Sequence, residues 1–102
     1  MERQLIKHVL GRTDYGASVT VAGWVRTRRD SKAGFSFIEL NDGSSFDGIQ
    51  IVAPGELPNY EAEVLQITIG ASIAVTGELV ESPGKGQAVE IKAAEITVYG
   101  LA

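Results

Sequence analysis

The chain has 102 residues, 44% of them hydrophobic, no cysteine, and a formal net charge of −4 at neutral pH. That is enough chain for one domain with one core; it rules out disulfides and thiolate metal sites and makes the cytoplasm the expected compartment. No apolar run approaches the roughly 18 residues of a membrane span, and there is no basic-then-apolar start, so neither a membrane anchor nor an export signal is expected.

The acidic balance argues against indiscriminate nucleic-acid binding, but the charge is uneven. Residues 1–32 carry seven Lys/Arg (Arg3, Lys7, Arg12, Arg26, Arg28, Arg29 and Lys32) against three acids, whereas residues 33–102 carry two against ten. A basic strip on an acidic body suits a small phosphate-bearing target. Ordinary surface charge would give the same pattern.

In chain order, residues 4–10 place Leu5, Ile6, Val9 and Leu10 at helical spacing, with Gly11 as the expected cap. Residues 18–29 alternate and are rich in β-branched side chains, which predicts a long first strand. Gly23 in its middle predicts a bulge or bend, and Trp24, just after it, is expected in the core. A turn over 30–34 leads to a second strand with Ser36, Ile38 and Leu40 on one face and Phe35, Phe37 and Glu39 on the other. Residues 46–53 predict a third strand, in which Ile49 and Ile51 alternate with Gln50 and Val52. Pro54 and Pro58 close it, and Asn59 is placed to cap a short helix with Tyr60, Val64, Leu65 and Ile67 inward. Residues 72–82 and 87–100 predict two more strands joined by a Pro-Gly-Lys-Gly turn at 83–86.

The order is helix, three strands, short helix, two strands, with no repeat or linker. It predicts an all-β, five-stranded Greek-key barrel of the oligonucleotide-binding (OB) type. The expected organisation is a single domain over 1–102, with the N-terminal helix in 1–11 and the barrel in 18–99.

Little in the chain points to catalysis. His8 is the sole histidine and has no evident partner for acid–base work. The Asp42-Gly43 and Asp47-Gly48 pairs read as turns, because the alternating ligands of a calcium loop are absent. The glycine-rich stretch at 82–86 joins two strands rather than leading into a helix, so it is not a phosphate-binding loop. No enzymatic activity, cofactor or metal is expected of these residues themselves.

The non-core faces of the strands are more informative. If Ile38 and Leu40 are buried, Phe37 faces outward, together with Gln50 on strand three and Glu90 and Lys92 on strand five. The basic run Arg26, Arg28, Arg29 and Lys32 leads into the adjoining turn. Cations for phosphates, an aromatic plane for stacking and directional groups for base edges then share one surface. Coverage of Phe37 by another element is an alternative reading, as is strand-end protection by Arg28 and Arg29.

The segments GWVRTRRDSKAGFSFIELNDGSSFDGIQIV, LPNYEAEVL and VTGELVESPGKGQAVEI resemble the anticodon-binding domain of class IIb aminoacyl-tRNA synthetases, and most of all its bacterial asparaginyl branch. The resemblance runs from about residue 5 to about 99 and implies roles position by position. Phe37 matches the aromatic residue that stacks on the central anticodon uridine, and Gln50 the glutamine that hydrogen-bonds to that base. Arg29 matches an arginine that contacts the anticodon. Glu90 matches the acid associated with the first anticodon base, where it would accept from a guanine's N1–H and amino group. Arg26, Arg28, Lys32 and Lys92 are the further candidate RNA contacts. The implied partner is a tRNA anticodon loop, that of asparagine tRNA. ATP and Mg2+ would serve only a catalytic domain of a longer parent, and no charging activity is expected from these residues. A monomer is expected for this domain alone, and a dimer for a full-length parent. An aspartyl-type anticodon domain, a general single-strand binder and a scaffold without RNA affinity are the alternatives.

Overall fold

Strands whose every second residue is apolar must bury one face, and closing them into a barrel does so while leaving no sheet edge unpaired. In the computed structural model, which describes residues 3–82 and 89–101, the strands are β1 (Ser18–Asp30), β2 (Phe35–Asn41), β3 (Ile49–Pro54), β4 (Ser72–Glu81) and β5 (Val89–Gly100), preceded by helix α1 (Ile6–Val9). They close in the order β1-β2-β3-β5-β4, the five-stranded all-β barrel expected from the sequence. β1 pairs twice: Ser18–Trp24 run antiparallel to β4, and Trp24–Asp30 run antiparallel to β2. The closing seam is a short parallel ladder in which Gln50, Ile51 and Val52 of β3 face Glu90, Ile91 and Lys92 of β5. Val21, Ile38, Leu40, Ile51, Ile73 and Ile91 are among the side chains fully buried inside. Burial of each contributes roughly 1.5–3 kcal/mol.

The bend in β1 is not where the glycine suggested. The register break falls between Val25 and Thr27, with Arg26 as the extra residue. There Val25 donates its N–H to Ala71 at 2.8 Å and accepts from Gly70 at 2.7 Å, so β1 leaves β4 at that point. Gly23 serves a different purpose: a Cβ there would lie 2.2 Å from the Asn41 carbonyl oxygen, so only glycine lets β1 approach the end of β2. Without a bulge at Gly23 the alternation runs unbroken to Val25, and Trp24 points outward. It is 44% exposed, which corrects its expected place in the core.

Two other elements differ from expectation. β3 begins at Ile49 rather than Phe46, because 42–48 form a loop shaped by side-chain hydrogen bonds. The segment after Pro58 is a single 3-10 turn, Val64–Gln66, preceded by wide turns in which Asn59 C=O accepts from Val64 and Tyr60 C=O from Leu65. Asn59 does not cap it. Its side-chain amide ties the segment to the barrel, donating to the Ile96 carbonyl at 2.8 Å. The segment is too short to gain from helix propagation, and its stability comes from burying Leu57, Tyr60, Val64 and Ile67. The Pro-Gly-Lys-Gly turn lies outside the described residues.

Helix α1 is also shorter than the predicted 4–10, and its N-terminal cap comes from elsewhere in the chain. Asp42 Oδ2 accepts the Ile6 N–H at 3.0 Å, and Ser44 Oγ accepts the Lys7 N–H at 3.1 Å. The side chain thus satisfies a donor that the four-residue helix leaves open. Partial desolvation pushes the Asp42 carboxyl upward, but hydrogen bonds from the Ser44 hydroxyl and the Ile6 and Ser44 N–H groups outweigh it, and the carboxyl is held below its ordinary value. A depressed carboxyl contributes stability that is complete above its unfolded pKa of about 3.9 and is lost as pH falls through its lower folded value. Asp42→Ala is therefore expected to lower stability at neutral pH by about 0.5–2 kcal/mol. In urea titrations the gap between the variant and the parent chain should shrink as pH is taken below 4; an unchanged gap would show that the cap does not depend on the charge.

Candidate nucleic-acid interface

The bulge at Arg26 decides which side chains of β1 face outward. Before it, odd-numbered Val19, Val21 and Val25 point into the barrel. After it the pairing becomes Thr27 with Glu39 and Arg29 with Phe37, so odd-numbered residues point out. Directly paired residues share a face, and following the pairs across the sheet gives two outward rows. One runs Arg29, Phe37, Val52, Lys92; the other runs Thr27, Glu39, Gln50, Glu90. They lie two residues apart along each strand, roughly 7 Å. Between them Thr27, Arg29, Phe37, Ile38, Glu39 and Gln50 line a concavity of about 180 Å³.

In the first row the Arg29 guanidinium lies over the Phe37 ring, 5.2 Å from its centroid. The Phe35 ring packs against that ring in a T-shaped arrangement, with centroids 5.1 Å apart and planes at 79°. Phe37 is thus half-buried with its plane held by a neighbouring ring, and Arg29 brings positive charge to it. Lys92 is exposed at the far end of the row.

In the second row Gln50 Nε2 donates to Glu90 Oε2 at 2.7 Å. Glu90 has outward parity, yet it is only 7% exposed. An amide carries two donors and an acceptor, so the pair is a fixed, directional set of hydrogen-bonding groups beside the aromatic row.

The other sequence-predicted cations are placed differently. Arg26, at the bulge, donates from Nη1 to the Phe46 carbonyl at 3.2 Å and lies 3.7 Å from Glu39 Oε2. Arg28 has inward parity opposite Ile38 and pairs with Asp30 Oδ1 at 3.2 Å. Asp30 also accepts from Ser36 Oγ, which meets the Tyr60 hydroxyl at 2.8 Å, so Arg28 belongs to a polar network at the end of the barrel. Lys32 is exposed in the β1–β2 turn, which Gly34 closes with φ +92°. The structure therefore brings Phe37, Arg29, Gln50 and Glu90 together, sets Lys92 and Lys32 at the margins, and directs Arg26 and Arg28 to partners within the chain. Sequence reasoning did not single out Thr27 or Glu39 as site residues. Glu39 shares the Phe37 face by simple alternation, but Thr27 reaches the site only through the bulge.

His8 is exposed on α1, and among the described residues no group of three or more His, Asp or Glu side chains could hold a metal ion. No described helix is long and apolar enough to cross a membrane.

A five-stranded barrel with these rows on its outer sheet is an OB barrel, and the chain belongs to the OB-fold nucleic acid binding domain family of the tRNA anticodon type, whose model matches residues 19–99. Its relatives include the asparagine–tRNA ligase of Colwellia psychrerythraea, 63% identical over 84 residues, which are 82% of this chain and 18% of the ligase. The ligase of Myxococcus xanthus is 56% identical over 95 residues, 93% of this chain and 20% of the ligase. The chain thus spans about a fifth of the length of these relatives. Among solved structures, asparaginyl-tRNA synthetase of Pyrococcus horikoshii superposes with a TM-score of 0.84 at 18% identity, covering 100% of this chain and 23% of that one, a likeness of fold. That of Entamoeba histolytica gives 0.74 at 27% identity, covering 92% and 23%.

Because Gln50 supplies the hydrogen bond to a carboxylate that is almost fully buried, Gln50→Leu is expected to destabilise the chain by about 1–3 kcal/mol. The Gln50→Leu/Glu90→Leu double variant should recover much of that loss, and a double-mutant cycle in urea reads the coupling directly. Additive effects would mean that the pair is not an energetic unit.

Proposed function

We propose that this barrel recognises the anticodon loop of a tRNA, that of asparagine tRNA, as the RNA-reading part of an asparagine–tRNA ligase. The observation that supports it most is the juxtaposition of the Arg29–Phe37 contact with the Gln50–Glu90 hydrogen bond on adjacent outward rows. In this reading the central base stacks on Phe37, Gln50 meets its edge, and Glu90 accepts from a guanine at the first anticodon position. Arg29, Lys32 and Lys92 steady phosphates, and Arg26 and Arg28 act chiefly by shaping the loops around them. Amino-acid activation, with its ATP and Mg2+, belongs to the remainder of such a ligase. The setting is the cytoplasm, and the barrel acts as a monomer unless that remainder brings two copies together.

Fluorescent RNA stem-loops presenting GUU, GUC and an unrelated anticodon, titrated at two salt concentrations, test this. Preference for GUU over the unrelated loop is expected, weakening as salt rises because phosphate contacts release counterions. GUC reports on the asparaginyl-versus-aspartyl choice, and equal affinity for all three would make the chain a general single-strand binder. Phe37→Ala should cost about 1–3 kcal/mol of RNA affinity. Glu90→Gln should instead narrow the gap between GUU and a loop with adenine at the first anticodon position. An unchanged affinity in the Phe37 variant would exclude the stacking role.

A further inference from the structure

Phe46 is 91% exposed, more than any other large hydrophobic side chain among the described residues. It does not sit on a slack loop. Asn41 Oδ1 accepts the Gly43 N–H at 2.6 Å, and Asp42 Oδ1 accepts the Ser44 N–H at 3.0 Å. Asn41 Nδ2 donates to the Ser45 carbonyl at 3.2 Å, and Arg26 Nη1 donates to the carbonyl of Phe46 itself at 3.2 Å. The backbone is thus fixed by four side-chain bonds while the ring stands in water. An aromatic side chain carried on a fixed backbone avoids the loop-ordering cost that one on a mobile loop meets on binding.

Its position relative to the two rows gives that display a purpose. The guanidinium that holds Phe46 is also 3.7 Å from Glu39 Oε2, and the returning strand is so close that a Cβ on Gly48 would lie 2.9 Å from Glu39 Cγ. The loop therefore borders the Glu39–Gln50–Glu90 row on the side away from Phe37. We infer that Phe46 is a second stacking platform, for a nucleobase neighbouring the one held over Phe37, so that the polar row reads base edges between two aromatic anchors. This rests on the single-stranded RNA reading above. Stacking tolerates any base, so Phe46 adds affinity and fixes register, and discrimination stays with Gln50 and Glu90.

The test compares Phe46→Ala, Phe46→Trp and Phe37→Ala in this chain against a GUU stem-loop, with thermal melting as the folding control. Phe46→Ala should melt as the parent chain does and bind roughly five- to hundredfold more weakly, while Phe46→Trp binds at least as well as the parent. With 5-iodouridine placed singly through the loop, irradiation should link one position to Phe37 and a neighbouring position to Phe46. Parent-like affinity in Phe46→Ala alongside weakened Phe37→Ala overturns the second platform and leaves the first standing, and cross-links to Phe37 alone have the same meaning. If neither alanine variant alters binding, or the chain binds no stem-loop, the single-strand reading fails and the second platform with it.

Discussion

The whole arrangement depends on one strand serving two neighbours. β1 must pair with β4 along its first half and with β2 along its second, or the barrel stays open. Changing partners leaves Val25 bonded to Gly70 and Ala71, and the chain absorbs the mismatch with one extra residue, Arg26. A bulge of this kind bends a strand and increases its twist, which closure needs. It also reverses which residues face outward. With unbroken alternation, Arg29 would point into the barrel and Arg28 would lie over the sheet. The bulge lifts Arg29 onto Phe37 and turns Arg28 toward Asp30. The geometry that closes the fold is the geometry that assembles its candidate site.

The parallel seam has a similar double role. Three residues of β3 face three of β5, and the central pair, Ile51 and Ile91, is wholly buried. The flanking pairs point outward, so Gln50 must meet Glu90 and Val52 must meet Lys92. A buried carboxylate is costly without a partner, and the Gln50 amide is held where it supplies one. The Gln50–Glu90 pair is therefore part of the closure, and its hydrogen bond is formed within the chain itself. On the proposed reading, such preorganisation favours discrimination between similar bases, because a mismatched edge meets donors and acceptors already held in place.

Most of this was legible in the sequence where a local rule governs the outcome. Alternation assigned Ser36, Ile38 and Leu40 inward and Phe37 outward, and the order of elements fixed the barrel. The faces of β3 and β5 were readable in the same way, because neither strand has a bulge within its parallel ladder. The misplacements share a cause. Gly23 looks like a bend, but its need is a close approach to Asn41, forty-one residues into the chain and eighteen away from it, which no local pattern reveals. Trp24 was assigned to the core for that reason. Phe46 fits a strand by propensity, and only the Asn41, Asp42 and Arg26 hydrogen bonds make its neighbourhood a loop. Arg26 and Arg28 looked like equal members of a basic strip because formal charge says nothing about internal partners. The face reading and the family resemblance point to the same four residues, Phe37, Gln50, Arg29 and Glu90; neither reveals that a bulge sets Arg29 over Phe37 and that the parallel seam sets Gln50 against Glu90.

Charge partners also bear on the kind of recognition this surface can perform. Of the basic side chains nearest the rows, Arg26 is engaged by a loop carbonyl and Glu39, and Arg28 by Asp30. Arg29, Lys32 and Lys92, the remaining cations on or beside the rows, form no ion pair among the described residues. In a chain of net charge −4, so few available cations give a weak general attraction to phosphate. On the proposed reading, binding draws instead on stacking and base-edge hydrogen bonds, the parts of the interaction that depend on conformation and sequence. On the same reading Glu39 and Glu90 sharpen this further, since a carboxylate beside a base edge repels phosphate and rewards only a donor placed opposite it. On the proposed reading, the acidic body discourages casual partners, and selection among the rest falls to the two outward rows.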